Sequence, residues 1–297
     1  MSYTFWILLT GCLVGLTCGI TGALLVLRKM AMIADAISHT VLLGIVGAFF
    51  VTQSLSGIPM LIGAGIVGIL TAVFVEMLHS SGVQSDAAIG IVFTSLFALG
   101  VVLISFIGDQ VHLDVQHALM GEIAFVPWNT LTINGVSYGP TAVWMLGAVL
   151  AVNLILITLF YKEIKMSTFD PQFATLIGVP VMIIHYLLMT MVSLSTVASF
   201  DSVGAILVVA MLIVPGATAY LLTDRFFVLL ILSGVIGILS AALGYGFAIQ
   251  WNVSIAGSMA VATGVFFIAA FLFGPKQGVV IKKIRGTTGK KTVQSST

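Results

Sequence analysis

MIADAISHTVLLGIV, residues 32–46, is an apolar run of helical length interrupted by one carboxylate and one imidazole. Asp35 and His39 are four residues apart, so on an α-helix they share a face, one turn apart. The run has many counterparts. Of the 297 residues, 60% are hydrophobic and 7% charged, whereas a soluble domain carries about 25% charged residues. Stretches of about 18 or more apolar residues, enough to cross a ~30 Å hydrocarbon core as a helix, recur along the chain. The composition excludes a water-soluble globule and specifies an all-α polytopic membrane protein.

Hydropathy places spans near residues 5–27, 31–52, 58–78, 87–107, 141–160, 181–199, 203–222, 226–246 and 254–274. Pro215-Gly216 interrupts the seventh and predicts a broken or shortened helix there, so the count is eight or nine. Lys and Arg fall after the first span (Arg28, Lys29), the fifth (Lys162, Lys165), the seventh (Arg225) and the ninth (Lys276 onward). With nine crossings these sites share one face, and the positive-inside rule makes it cytoplasmic. The N-terminus is then outside and the C-terminus inside a cell (plasma) membrane. No basic stretch precedes the first run, which reads as a retained helix and not a cleaved signal.

Gly11, Gly15 and Gly19 form a ladder of small residues on the first span, and Ser233, Gly237 and Ala241 form another on the eighth. Such ladders let helix backbones approach closely in lipid. Cys12 and Cys18 match no metal or redox spacing and read as small buried hydrophobes. Residues 1–275 make a transmembrane domain with one long outside segment, 108–140. Residues 276–297 make a polar cytoplasmic tail with six basic and no acidic residues, suited to anionic lipid. Its GTTGKK has two residues between glycines where a phosphate-binding loop needs four, and no strand precedes it.

The polar residues inside the apolar runs carry the chemistry. Counting a 1.5 Å rise per residue from Arg28-Lys29 puts Asp35 about 10 Å and His39 about 15 Å into the membrane, His39 near the midplane. A carboxylate at such depth costs ~3 kcal/mol even on lenient scales, so Asp35 must face protein, water or an ion. Ser38 lies on the same side at i+3. The pair admits three readings: an internally satisfied contact, a proton relay of a secondary transporter, or a passing site for a divalent cation. Oxygen plus imidazole suits Mn²⁺, Zn²⁺ or Fe²⁺ better than Ca²⁺ or Mg²⁺.

Other polar residues are weaker candidates. Glu76 and His79 end the third span, where solvated groups are ordinary, and His185 opens the sixth as an interfacial packing residue. His112, Asp114, His117 and Glu122 cluster in the outside segment. Asp201 closes the sixth span on the outside, where it could receive a cation or cap the next helix. FDPQFATLIG, residues 169–178, reads as a short cytoplasmic helix. Asp170 caps it, Pro171 opens it and Gly178 stops it, leaving Phe173, Leu176 and Ile177 as an apolar face in need of a partner.

MIADAISHTVLLGI resembles the second-helix motif of membrane subunits of the manganese/zinc/iron ABC importers, G-D-A-[LI]-S-H-[AS]-V-L-P-G. The resemblance continues in TFDPQFATLIGVPVMIIHYLLM (168–189), in SVGAILVVAMLIVPGATAYLL (202–222) and in LFGPKQG (272–278). Two positions depart from the pattern: Ala34 for the glycine and Leu43 for the proline, which bear on local helix shape.

The resemblance implies a type II importer permease with a reduced vitamin-B12-importer-like fold, itself not an enzyme. It further implies a homodimer with the pathway at its interface, and separate cytoplasmic ABC ATPase subunits that bind the ATP. An extracellular metal-binding protein would dock outside; no nucleic acid is involved. By the same resemblance Asp35 and His39 match the metal-coordinating pair, and Asp170, Pro171, Phe173, Leu176 and Gly178 match the ATPase-coupling loop; Ser38 and Asp201, by their positions along the chain, read as pathway support. HLDVQHALMGEI shapes the outer face. The chain needs no cofactor of its own; its cargo is Mn²⁺, to which VPVMIIHYLLM is closest, or else Zn²⁺ or Fe²⁺. A proton-coupled secondary divalent-cation transporter is the alternative.

Overall fold

The computed structural model describes residues 3–52, 57–107, 123–133, 136–274 and 278. In chain order these form α1 (Tyr3–Leu27), α2 (Ala31–Thr52), α3 (Gly57–Ser80), α4 (Ser85–Ile107), a 3₁₀ turn (Val126–Trp128), β1 (Thr130–Ile133), β2 (Val136–Pro140) and α5 (Thr141–Leu159). The short helices α6 (Tyr161–Phe169) and α7 (Pro171–Leu176) follow, then α8 (Val181–Leu222), α9 (Phe226–Trp251) and α10 (Ile255–Phe273). Among the described residues nine segments are long and apolar enough to cross a membrane, within a few residues of the hydropathy spans. The antiparallel β1–β2 hairpin is an addition that the sequence reading did not include. His112, Asp114, His117, Glu122 and the tail from 279 lie outside the described residues.

Helix ends explain how so apolar a chain keeps its corners. After α1, α3 and α7 the backbone turns into the left-handed region at Lys29 (φ 59°), Gly82 (φ 97°) and Gly178 (φ 87°). Each closure carries the same two bonds. At α1 they run from Lys29 N–H to the Val26 carbonyl and from Met30 N–H to the Leu25 carbonyl, both 3.0 Å. This Schellman ending satisfies carbonyls that lipid could not.

The core is organised around α1, whose small-residue face lies directly on α9. The two ladders meet each other: Gly15 abuts the Gly237 backbone, and the Ser233 hydroxyl donates to the Gly19 carbonyl at 2.6 Å. A Cβ at Gly15 would stand 2.5 Å from the Gly237 carbonyl oxygen, so only glycine fits. Cys12 and Cys18 are unbridged, with Cys18 buried.

One expectation is corrected in α8. Pro215 sits inside a helical run, and the break occurs instead at Gly204 (φ 76°, ψ 167°). That φ is open to glycine and strained for other residues, whereas Pro215 forfeits one backbone hydrogen bond that a packed membrane helix tolerates. Ile184 and Ala219 belong to one buried cluster with Ile20, Ala23 and Leu24. The two halves of α8 therefore begin and end at the same side of the bundle, reversing at Gly204.

The basic residues gather at that side. Arg28 donates to Ser167 and Thr168 of α6, and the rings of Tyr161 and Phe169 meet Phe226 tilted and edge-on, next to Arg225. At the opposite end the Tyr3 hydroxyl donates to the Ala124 carbonyl.

Candidate metal-pathway site

Asp35 and His39 stand on one face of α2, as their spacing requires. His39 Nε2 lies 3.6 Å from Asp35 Oδ1, with the side chains 30% and 40% exposed respectively. The gap is too long for a good hydrogen bond. A carboxylate oxygen and an imidazole nitrogen sharing a tetrahedral cation, each about 2.1 Å from it, would stand about 3.4 Å apart. The observed spacing is close to that. Among the described residues no third His, Cys, Asp or Glu joins the pair to make a metal-holding group. One copy of the chain thus presents two donors on a partly open face.

Two aromatic rings of α4 back the imidazole. The Phe93 and Phe97 centroids lie 5.3 Å and 5.9 Å from that of His39, Phe97 edge-on. These phenylalanines are the residues sequence reading missed; their i, i+4 spacing on α4 was the available sign, with nothing to say that they meet α2. Ser38 points into the bundle: it is fully buried and its hydroxyl donates to the Asp35 backbone carbonyl at 2.7 Å. A further buried hydroxyl pair, Thr71 to Thr40 at 2.9 Å, ties α3 to α2. Asp201 falls within α8, its side chain outside the described residues.

The short helix α7 has the expected build. Asp170 Oδ1 accepts from the Phe173 backbone N–H at 2.9 Å, Pro171 opens the helix, and Gly178 ends it. Ala174 anchors it, fully buried, while Leu176 is 84% exposed and Phe173 and Ile177 are about half exposed. Neighbouring groups that the sequence left separate come together here: His185 of α8 lies 3.6 Å from Glu76 of α3. Both line a cavity of about 740 Å³ with Arg28, Lys29, Ser167 and Thr168.

With this geometry in place, residues 1–274 match the family model described as "ABC 3 transport family". The chain belongs to the ABC 3 transport family. It is similar to the manganese transport system membrane protein MntD of Bacillus subtilis (strain 168), 64% identical over 285 residues that cover 96% of this chain and 97% of that one. It is also similar to the zinc transport system membrane protein TroD of Treponema pallidum (strain Nichols). The identity there is 42% over 278 residues, covering 93% of this chain and 76% of that one. Among solved structures it resembles PsaBC from Streptococcus pneumoniae in complex with Fab, at 33% identity and a TM-score of 0.78, over 93% of this chain and 94% of that one. As an ABC 3 member the chain is a multi-pass permease, the membrane subunit of a transport system and not itself its ATPase.

Proposed function

We propose that this permease carries a divalent transition metal, Mn²⁺ before Zn²⁺ or Fe²⁺, inward through a pathway formed by two copies of the chain. The observation that carries the proposal is the half-open Asp35–His39 pair, spaced for one cation and without a third ligand among the described residues. A two-fold axis would bring two such pairs together as a four-donor gate. The preference for manganese rests on the similarity to MntD; N/O sites bind Zn²⁺ more tightly than Mn²⁺, so discrimination is assigned to an external metal-binding protein. Asp201 and Ser38 would support the pathway. Helix α7, through Phe173 and Leu176, would couple the bundle to cytoplasmic ATPase subunits. The basic end holding Arg28 and Arg225 would face the cytoplasm, leaving the N-terminus outside.

The test is uptake of radiolabelled Mn²⁺ by the chain assembled with its ATPase. Asp35→Ala and His39→Ala should each lower uptake by at least about tenfold, the lower bound for weakening a metal site, while assembly is unchanged. Wild-type uptake in both variants would sink the proposed gate. Uptake by the permease alone, driven by a proton gradient, would replace the ATP-driven reading with a secondary transporter.

A further inference from the structure

Neither Asp35 nor His39 is among the described residues that line the cavity at the basic end, where Arg28, Lys29, Glu76 and His185 meet. Arg28 donates through Nη2 to Ser167 Oγ at 2.7 Å and through Nε to Thr168 Oγ1 at 3.2 Å. Both partners are neutral hydroxyls, and although burial lowers the guanidinium pKa to about 10, Arg28 stays protonated at neutral pH. Lys29 adds a second positive charge from a left-handed position that α3 and α7 fill with glycine. The one carboxylate among the described lining residues, Glu76, lies against the His185 imidazole. A cation could span that pair by distance alone, but two fixed positive side chains share its cavity. The balance favours an anion.

The wall continues as apolar surface. Met182 lines the cavity, and Met182 and Ile183 at the start of α8 are 64% and 65% exposed. Arg28 and Lys29 follow the last residue of a spanning helix, the depth at which phospholipid phosphates lie. Basic pockets between helices at this depth bind phosphate headgroups. A cationic recess with an apolar strip beside it fits a molecule that is anionic at one end and a hydrocarbon at the other.

We propose that the Arg28–Lys29 cavity is a binding site for the phosphate of an anionic phospholipid, whose acyl chains run along Met182 and Ile183. Because Pro171 and Thr175 of α7 also line the cavity, a bound headgroup braces the short helix against α1.

The test uses the full chain in nanodiscs of equimolar phosphatidylglycerol and phosphatidylcholine, with retained lipid counted by native mass spectrometry. Phosphatidylglycerol should be kept in preference to phosphatidylcholine. Arg28→Gln and Lys29→Gly should each lower its retention about fivefold, the contribution of one basic residue near a phosphate surface. Lys29→Gly relieves the left-handed backbone while removing the charge, so its loss of lipid cannot be laid to misfolding. Equal retention of the two lipids, or wild-type retention in both variants, overturns the proposal. Displacement by millimolar inorganic phosphate in an Arg28-dependent manner would make free phosphate the ligand and overturn the lipid assignment.

Discussion

Gly15→Ala tests whether the close backbone contact between α1 and α9 stabilises the bundle. The new methyl carbon would lie 2.5 Å from the Gly237 carbonyl oxygen and 2.6 Å from its carbon. Ordinary contact needs about 3.5 Å, so the helices must part by about 1 Å. Both partners are backbone, and no side-chain rotation relieves the clash. One turn away, the Ser233 to Gly19 hydrogen bond at 2.6 Å would stretch to about 3.6 Å and fail. Overpacking costs about 1–3 kcal/mol, and a lost hydrogen bond in a membrane bundle about 0.6 kcal/mol. The better helix propensity of alanine offsets about 0.5–1 kcal/mol. The net loss is about 0.6–3 kcal/mol, a factor of about 3–150 in the unfolding equilibrium.

Gly246→Ala on α9 is the matched control, since nothing lies within 4 Å of its Cβ position and only the propensity gain remains. Titration of each purified variant with SDS in mixed micelles, followed by circular dichroism, should move the Gly15→Ala midpoint down and leave Gly246→Ala at or above wild type. Equal midpoints for the two would refute the reasoning.

Phe93→Ala removes the ring packed on His39 and should raise the apparent KM for Mn²⁺ about tenfold, as loss of an orienting neighbour does, with the maximal rate held within about twofold. Phe93→Leu, which refills most of the space, should restore it; an unchanged KM in the alanine variant contradicts a positioning role. Asp170→Ala leaves the Phe173 N–H without its acceptor, at a cost to α7 of about 1 kcal/mol. ATP-driven uptake should fall while permease–ATPase assembly persists, and Asp170→Ser should recover it. Identical uptake in all three forms would remove α7 from coupling.

What could be read along the chain was whatever depends on neighbours in sequence. Span positions followed from apolar run length, and the α7 ends from Asp170-Pro171 and Gly178, because caps are local. The two ladders were each legible from their i, i+4 small residues; that Gly15 faces Gly237 was not, because one sequence carries no record of which helix meets which. The same limit hid the Glu76–His185 and Arg28–Ser167 contacts and the placement of Phe93 beside His39. The error at α8 was of another kind. A helix loses one backbone bond at Pro215 and runs on, while at Gly204 the chain must adopt a φ that glycine takes without strain and that no local pattern announces.

That the α2 site holds only two donors among the described residues is what makes a transport role chemically reasonable. A closed four-ligand zinc site contributes about 10–16 kcal/mol of binding, which would hold a passing ion indefinitely. One carboxylate and one imidazole at 3.6 Å fall far short of such a cage. In the proposed dimer the remaining donors would come from the same pair on the second copy, so affinity would rise as the two α2 helices approach and fall as they part. Movement imposed at α7 would then control release through separation alone, with no chemistry on the cation. Phe93 and Phe97 would hold the imidazole at a fixed angle through that cycle, so that what changes is the distance between halves and not the geometry within each.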